Sequence, residues 1–174
     1  MYQSGYNMRS VIIDSSSAIL MYKSNIIPAL LKYCTPVIPE EVESELTVPG
    51  YEGSEFFTDL CSKEIIKVYE PEELISYEPA GSLHRGERDV IALFFNGKGD
   101  FIIIDDGRGG GFCRDHKIPY INTILAVKIF LFKQLITETE YAAAWRWLLA
   151  NGRYSQKVIG WAEKADKGTL AFFI

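Results

Sequence analysis

Phe101-Ile102-Ile103-Ile104 runs directly into Asp105-Asp106, and glycines follow at Gly107, Gly109, Gly110 and Gly111. A short apolar run, mostly β-branched and bounded by turn formers, reads as a strand buried on both faces. Such a strand needs cover on both sides, which restricts the chain to an architecture that layers helices over a sheet. In an open α/β sheet, ligands bind beyond the carboxyl ends of the strands. The two carboxylates therefore stand where a fold of this kind does its chemistry.

The rest of the chain supplies the matching pattern. Strands are expected at 11–14, 36–38, 65–69, 101–105 and 119–121, with helical segments between them. Ser15-Ser16-Ser17 offers hydroxyls for the N-cap of the first helix. Helices are expected over 26–33, with Pro28 in the first turn, and over 40–46 and 54–62. Arg85–Phe95 reads as a helix ending at Asn96-Gly97. Residues 71–82 read as a connecting loop with one turn of helix at Glu72-Glu73-Leu74. The glycines after Asp106 read as a flexible loop entering a helix at 112–116. Beyond Thr123 the pattern is helical, with Thr137 and Glu140 at capping-box spacing and a last helix over 155–164. The apolar tail 170–174 is expected to dock on the core or on a partner. Strands alternating with helices give an α/β fold: a single three-layer domain around a mainly parallel five-stranded sheet. Residues 9–130 form this unit, and 131–174 form a C-terminal helical extension packed on it.

Composition narrows the function. The net charge of −5 argues against a protein that coats nucleic acid non-specifically. It leaves room for a nuclease, whose site needs carboxylates and whose grip can be local. No apolar run is long enough to span a bilayer, and the first residues lack the apolar region of a signal peptide. The expected location is the cytoplasm. Cys34, Cys61 and Cys113 are scattered and do not stand at zinc-ligand spacing with His84 or His116; they read as core thiols.

The acids that merit weighing are Asp14, Glu41, Glu45, Glu87, Asp89, Asp105 and Asp106. Each has a plain structural explanation taken alone: a cap, a helix-dipole partner or a turn. Asp14 and Asp105-Asp106 both end apolar strands, so both lie at the same sheet edge. Glu45 follows the second strand on a helix, and Asp89 opens the helix before the fourth. If strands one and four are neighbours, the four segments meet. Carboxylates so gathered suit hard cations such as Mg²⁺ or Mn²⁺, and a pair of such ions about 4 Å apart hydrolyses phosphodiesters.

Four pieces carry a family resemblance: V-I-I-D-S-S-S-A-I, V-I-P-E-E-V-E-S-E-L, G-E-R-D-V-I-A-L and I-I-I-D-D-G. In this order the chain resembles the PIN-domain nucleases, in particular the toxin-like prokaryotic PIN subgroup with a C-terminal helical extension. The resemblance implies a metal-dependent endoribonuclease that hydrolyses RNA phosphodiesters with Mg²⁺ or Mn²⁺. It places the catalytic, metal-holding acids on Asp14, Glu45, Asp89 and Asp106. Ser16, Glu87 and Asp105 take supporting positions, and Arg108 and Arg85 are candidates for phosphate contact. It further implies a toxin of a toxin–antitoxin pair, an antitoxin as protein partner, and a homodimer. The chain departs from many relatives after the fourth acid, where glycines stand in place of arginines. That departure keeps a second reading open: a catalytically weak PIN-like binding or scaffold module acting through a protein partner. A phosphoacceptor domain, suggested by the Ile-Ile-Ile-Asp-Asp string, would carry its acid pair after the first strand rather than the fourth.

Overall fold

Val11-Ile12-Ile13 and Phe101-Ile102-Ile103 lie side by side as the centre of a parallel sheet, with Val11 paired to Phe101, Ile12 to Ile102 and Ile13 to Ile103. All six are buried. Burial of consecutive residues means that both faces of these strands are covered. The computed structural model describes residues 8–72 and 83–174. Its strands are β1 (Ser10–Ile13), β2 (Thr35–Pro39), β3 (Lys67–Tyr69), β4 (Phe101–Ile103) and β5 (Tyr120–Ile121). They form one five-stranded sheet in the order β3-β2-β1-β4-β5, and every pairing is parallel.

The helices among the described residues are α1 (Ser15–Lys23), α2 (Ile27–Tyr33), α3 (Glu40–Leu46), α4 (Ser54–Ser62), α5 (Arg85–Phe95), α6 (Gly107–Asp115), α7 (Thr123–Phe132), α8 (Glu138–Asn151) and α9 (Gln156–Lys164). The chain leaves β1 toward β2 on one side and returns as β4 on the other. The gap between the carboxyl ends of β1 and β4 is therefore a topological switch point, the place where open α/β sheets hold ligands. Asp14 follows β1 directly, and its amide still donates to the Ile103 carbonyl at 3.3 Å.

Several boundaries differ from the sequence expectation. Asp14 is not the last strand residue. It caps α1, and the three serines form that helix's first turn instead of capping it. A carboxylate is as good an N-cap as a hydroxyl, and its position one residue earlier wins. Ile65 and Ile66 belong to the turn closing α4, their amides both held by the Leu60 carbonyl, so β3 starts at Lys67. The largest difference is at the glycines. Gly107–Gly111 is the start of α6, not a loop, because the Asp106 side chain caps it by accepting from the Arg108 and Gly109 amides. Gly109 packs closely on β4's exit: a Cβ there would stand 2.2 Å from Ile104 Cδ1, so the buried Ile104 side chain would have to shift. The expected loop and helical turn between 71 and 82 fall mostly outside the described residues.

The C-terminal segment packs onto the same core. Thr137 and Glu140 form the expected capping box of α8, and Ser155 caps α9. The tail closes on its own chain: Leu170 is fully buried, Phe173 meets the Phe101 ring edge-on at 5.2 Å, and Tyr33 donates to the Phe173 carbonyl. Arg9 holds the Phe172 carbonyl at 2.6 Å and lies over the Phe101 ring.

Candidate active site

The sheet edge at β1 and β4 opens into a cavity of about 240 Å³ lined by Asp14, Ser15, Ser16, Val42, Glu45, His84, Gly86, Glu87 and Asp106. Four carboxylates from four separate segments face it. Neither lysine nor arginine is among its lining residues.

Asp14 is the most buried of the four, at 5% exposure. Its Oδ1 accepts from the Ser17 amide at 2.9 Å and its Oδ2 from the Ser16 hydroxyl at 2.5 Å. Burial pushes its pKa up to about 6, against the pull of the Ser16 and Ser17 hydrogen bonds. Glu45 comes from α3. Gly86 of α5 lies against it: a Cβ there would make ordinary contact with Glu45 Oε1, at 3.4 Å.

Glu87 and Asp106 act on each other directly. Burial, and then a hydrogen bond to Asp106, raise Glu87 to about 7, while the His84 amide, at 2.9 Å from Oε2, pulls the other way. Burial would raise Asp106 too. The hydrogen bond from Glu87 and those from the Arg108 and Gly109 amides prevail and hold it below the usual carboxylate range. Of the two, Glu87 is thus the acid that holds a proton more readily and Asp106 the one that ionises first. The Arg108 guanidinium lies 3.7 Å from Asp106 and 2.5 Å from His84 Nε2, at the cavity's rim.

Asp105 does not line this cavity but the one beside it, and donors surround it. Ser17 Oγ reaches it at 2.7 Å, the Thr123 amide at 3.1 Å, the Thr123 hydroxyl at 2.5 Å and the Tyr154 hydroxyl at 2.6 Å. So encased, it has little lone-pair capacity left for a ligand. It ties α1, α7 and the turn after α8 to the carboxyl end of β4.

Asp89 is not among the cavity residues. It stands two positions beyond Glu87 on α5, and two residues on one helix do not face the same way. Its electrostatic neighbours are Arg85, Glu41 and Arg88; burial raises its pKa, with Arg85 opposing. Arg85 pairs with Glu41 at 3.3 Å and likewise does not line the cavity. The structure therefore brings together Asp14, Ser16, Glu45, Glu87 and Asp106, with Arg108 at the rim, and leaves Asp89 and Arg85 in a separate charged group. The helical period held the signal for Glu87: it shares a face with Val90 and Ile91, three and four residues on, and all three are buried. His84, Thr123 and Tyr154 carried no motif, because their contacts are made across the fold.

The cavity suits a hard divalent cation. The donors are carboxylate oxygens, the kind that such cations take, and burial raises the pKa of both Asp14 and Glu87. Among the described residues no three such side chains are already drawn into a ready-made cage. No described helix is long and apolar enough to cross a membrane.

A family model described as a PIN domain matches residues 10–159. No curated protein and no solved structure gives a significant match to the chain.

Proposed function

This chain belongs to the PIN-domain family, a fold generally used by nucleases, and on that premise we propose that it is a metal-dependent endoribonuclease. The observation that carries the reading is the convergence of Asp14, Glu45, Glu87 and Asp106 on one cavity at the switch point of the sheet. In this proposal Asp14, Glu87 and Asp106 hold Mg²⁺ or Mn²⁺, with Glu45 completing the set. The ion supplies Lewis acidity toward the phosphodiester and a more acidic water.

The chain's own residues do the positioning. Ser16 and the Ser17 amide fix both oxygens of Asp14. The first amides of α6 fix Asp106, and the donors around Asp105 hold the whole turn still. Glu87 takes the part that the motif reading gave to Asp89. Arg108 and His84, paired at the rim, are set to meet a phosphate oxygen. Arg85 serves the contact between α3 and α5 through Glu41, and Asp89 lies beside Arg85 and Arg88 in the same charged group. Residues 131–174 extend the domain rather than form one of their own. The role of a toxin held by an antitoxin, and a homodimer as the working assembly, belong to the same proposal.

The test is cleavage of single-stranded RNA in Mn²⁺ by the wild type and by Asp14→Asn. Loss of cleavage in the variant is expected; equal cleavage overturns the proposal. Calorimetric titration with Mn²⁺ separates the scaffold reading: a folded protein that takes up no ion at millimolar metal favours a module acting through a partner.

A further inference from the structure

A second cavity opens next to the acidic one. It measures about 600 Å³, and Ser16 and Asp106 line both. That volume lies in the range of about 300–1,000 Å³ typical of sites that hold organic ligands. Its walls are α1, through Ile19, Leu20 and Lys23, and α8, through Trp147 and Asn151; Gly152 and Arg153 close it beyond α8. The acids lie at one end, and the cations Lys23 and Arg153 stand on its walls. Lys23 is also engaged by Glu52 at 3.0 Å, so Arg153 is the cation on which the argument rests.

Arg153 is held in place by the local fold. Its φ is +51°, a left-handed conformation uncommon for a residue with a side chain. Gly152 before it packs so tightly that a Cβ would stand 2.2 Å from the Tyr154 ring. Tyr154 after it donates to Asp105 at 2.6 Å. The turn that presents Arg153 is thus tied to the residue adjoining Asp106. Trp147, half-buried on α8, supplies an aromatic ring in the same groove.

An aromatic ring with a nearby cation, leading from a carboxylate centre, is the arrangement that receives a single strand: bases stack on the ring and phosphates meet the cation. We propose that the groove between α1 and α8 is the subsite for the single-stranded nucleotides flanking the scissile phosphate, with a base on Trp147 and a backbone phosphate on Arg153. The inference rests on the acidic cavity being the cleavage centre. It also explains how a chain with a net charge of −5 can grip a polyanion: the contact is local and partly uncharged. The α8 segment then forms one wall of the substrate path.

The experiment is fluorescence anisotropy of a fluorescein-labelled oligouridylate with the full chain in EDTA, where binding is read without cleavage. Trp147→Ala and Arg153→Glu are each expected to weaken binding by about 5- to 100-fold, the span of base stacking. Trp147→Phe keeps a ring and restores most of the affinity. Trp161→Ala, at an exposed tryptophan outside this groove, leaves affinity unchanged. Thermal melting checks that each variant folds; if Trp147→Ala does not, Arg153→Glu at its exposed position carries the test. A wild type that does not bind, or Trp147 and Arg153 variants that bind as the wild type does, overturns the subsite. A wild type that binds through these residues yet cuts no RNA with Mn²⁺ removes the nuclease reading and overturns the groove as a cleavage subsite, leaving a single-strand binding groove.

Discussion

Glu87 and Asp106 reach one cavity from α5 and from the end of β4, and each acts on the other's protonation, Asp106 raising Glu87 and Glu87 lowering Asp106. This pairing sets Glu87 apart from Asp89, its near neighbour in sequence, and makes their roles separable. Glu87→Gln is expected to lower Mn²⁺-dependent RNA cleavage by about 100-fold or more, a loss of roughly 3 kcal/mol in transition-state stabilisation. Asp89→Asn should stay within a few-fold of the wild type. Rates on one RNA substrate at saturating Mn²⁺ measure both; the reverse order would return the third acid to Asp89.

Asp14 gives a pH prediction with a definite sign. Its folded pKa, about 6, lies above the ordinary value of 3.8, so the folded protein keeps a proton that the unfolded chain releases. The stability contributed by this group is complete at low pH and is lost as pH climbs from about 4 to about 6. Above that, the remaining cost is roughly 2–3 kcal/mol. Asp14→Asn has no such titration and still offers an oxygen to the Ser17 amide. Urea unfolding of the metal-free proteins at pH 4 and pH 7 should show the variant gaining about that much on the wild type. Added Mn²⁺ at pH 7 should raise the wild-type melting temperature more than the variant's.

The glycines of α6 are not equivalent. Gly109→Ala forces a methyl into Ile104, at a spacing of 2.2 Å from Cδ1, and should cost about 1–3 kcal/mol. Gly111→Ala meets only Arg114 Nη2, at 3.7 Å, and should gain up to about 1 kcal/mol from helix propensity. Calorimetric melting of the two variants should move in opposite directions.

Tyr154→Phe removes one of the donors that encase Asp105. A hydrogen bond to a charged group contributes roughly 1.5–3 kcal/mol, and the variant should lose about that in chemical denaturation. Because Asp105 holds the turn that presents Asp106, RNA cleavage should fall as well. An unchanged stability would mean that Thr123 and Ser17 suffice to fix Asp105.

Much of the sheet could be read from local pattern. The buried runs at β1 and β4 are apolar because helices cover both faces, and the capping boxes follow from side chains a fixed few residues apart. The glycine stretch could not be read this way. Gly109 reflects the approach of Ile104, and the cap comes from Asp106; without those contacts, four glycines in five residues favour a loop. The site shows the same division. Asp14, Glu45 and Asp106 follow from their places after apolar strands or on the next helix. Which of Glu87 and Asp89 lines the cavity needed the orientation of α5, which its buried face encodes but a motif does not.

By itself the sequence determined the order of strands and helices, the carboxylates at the strand ends, and the family, since these depend on neighbours along the chain. Only the tertiary structure decided that Asp105 is encased by donors, that Glu87 lines the cavity with Asp106, and that Trp147 of α8 and Arg153 beyond it line a second cavity that Asp106 shares. The physical reason is distance along the chain: Tyr154 meets Asp105 across 49 residues and Ser17 meets it across 88. No local period records contacts of that kind; they exist only once β4 has been laid against β1 and the last helices have closed over the sheet.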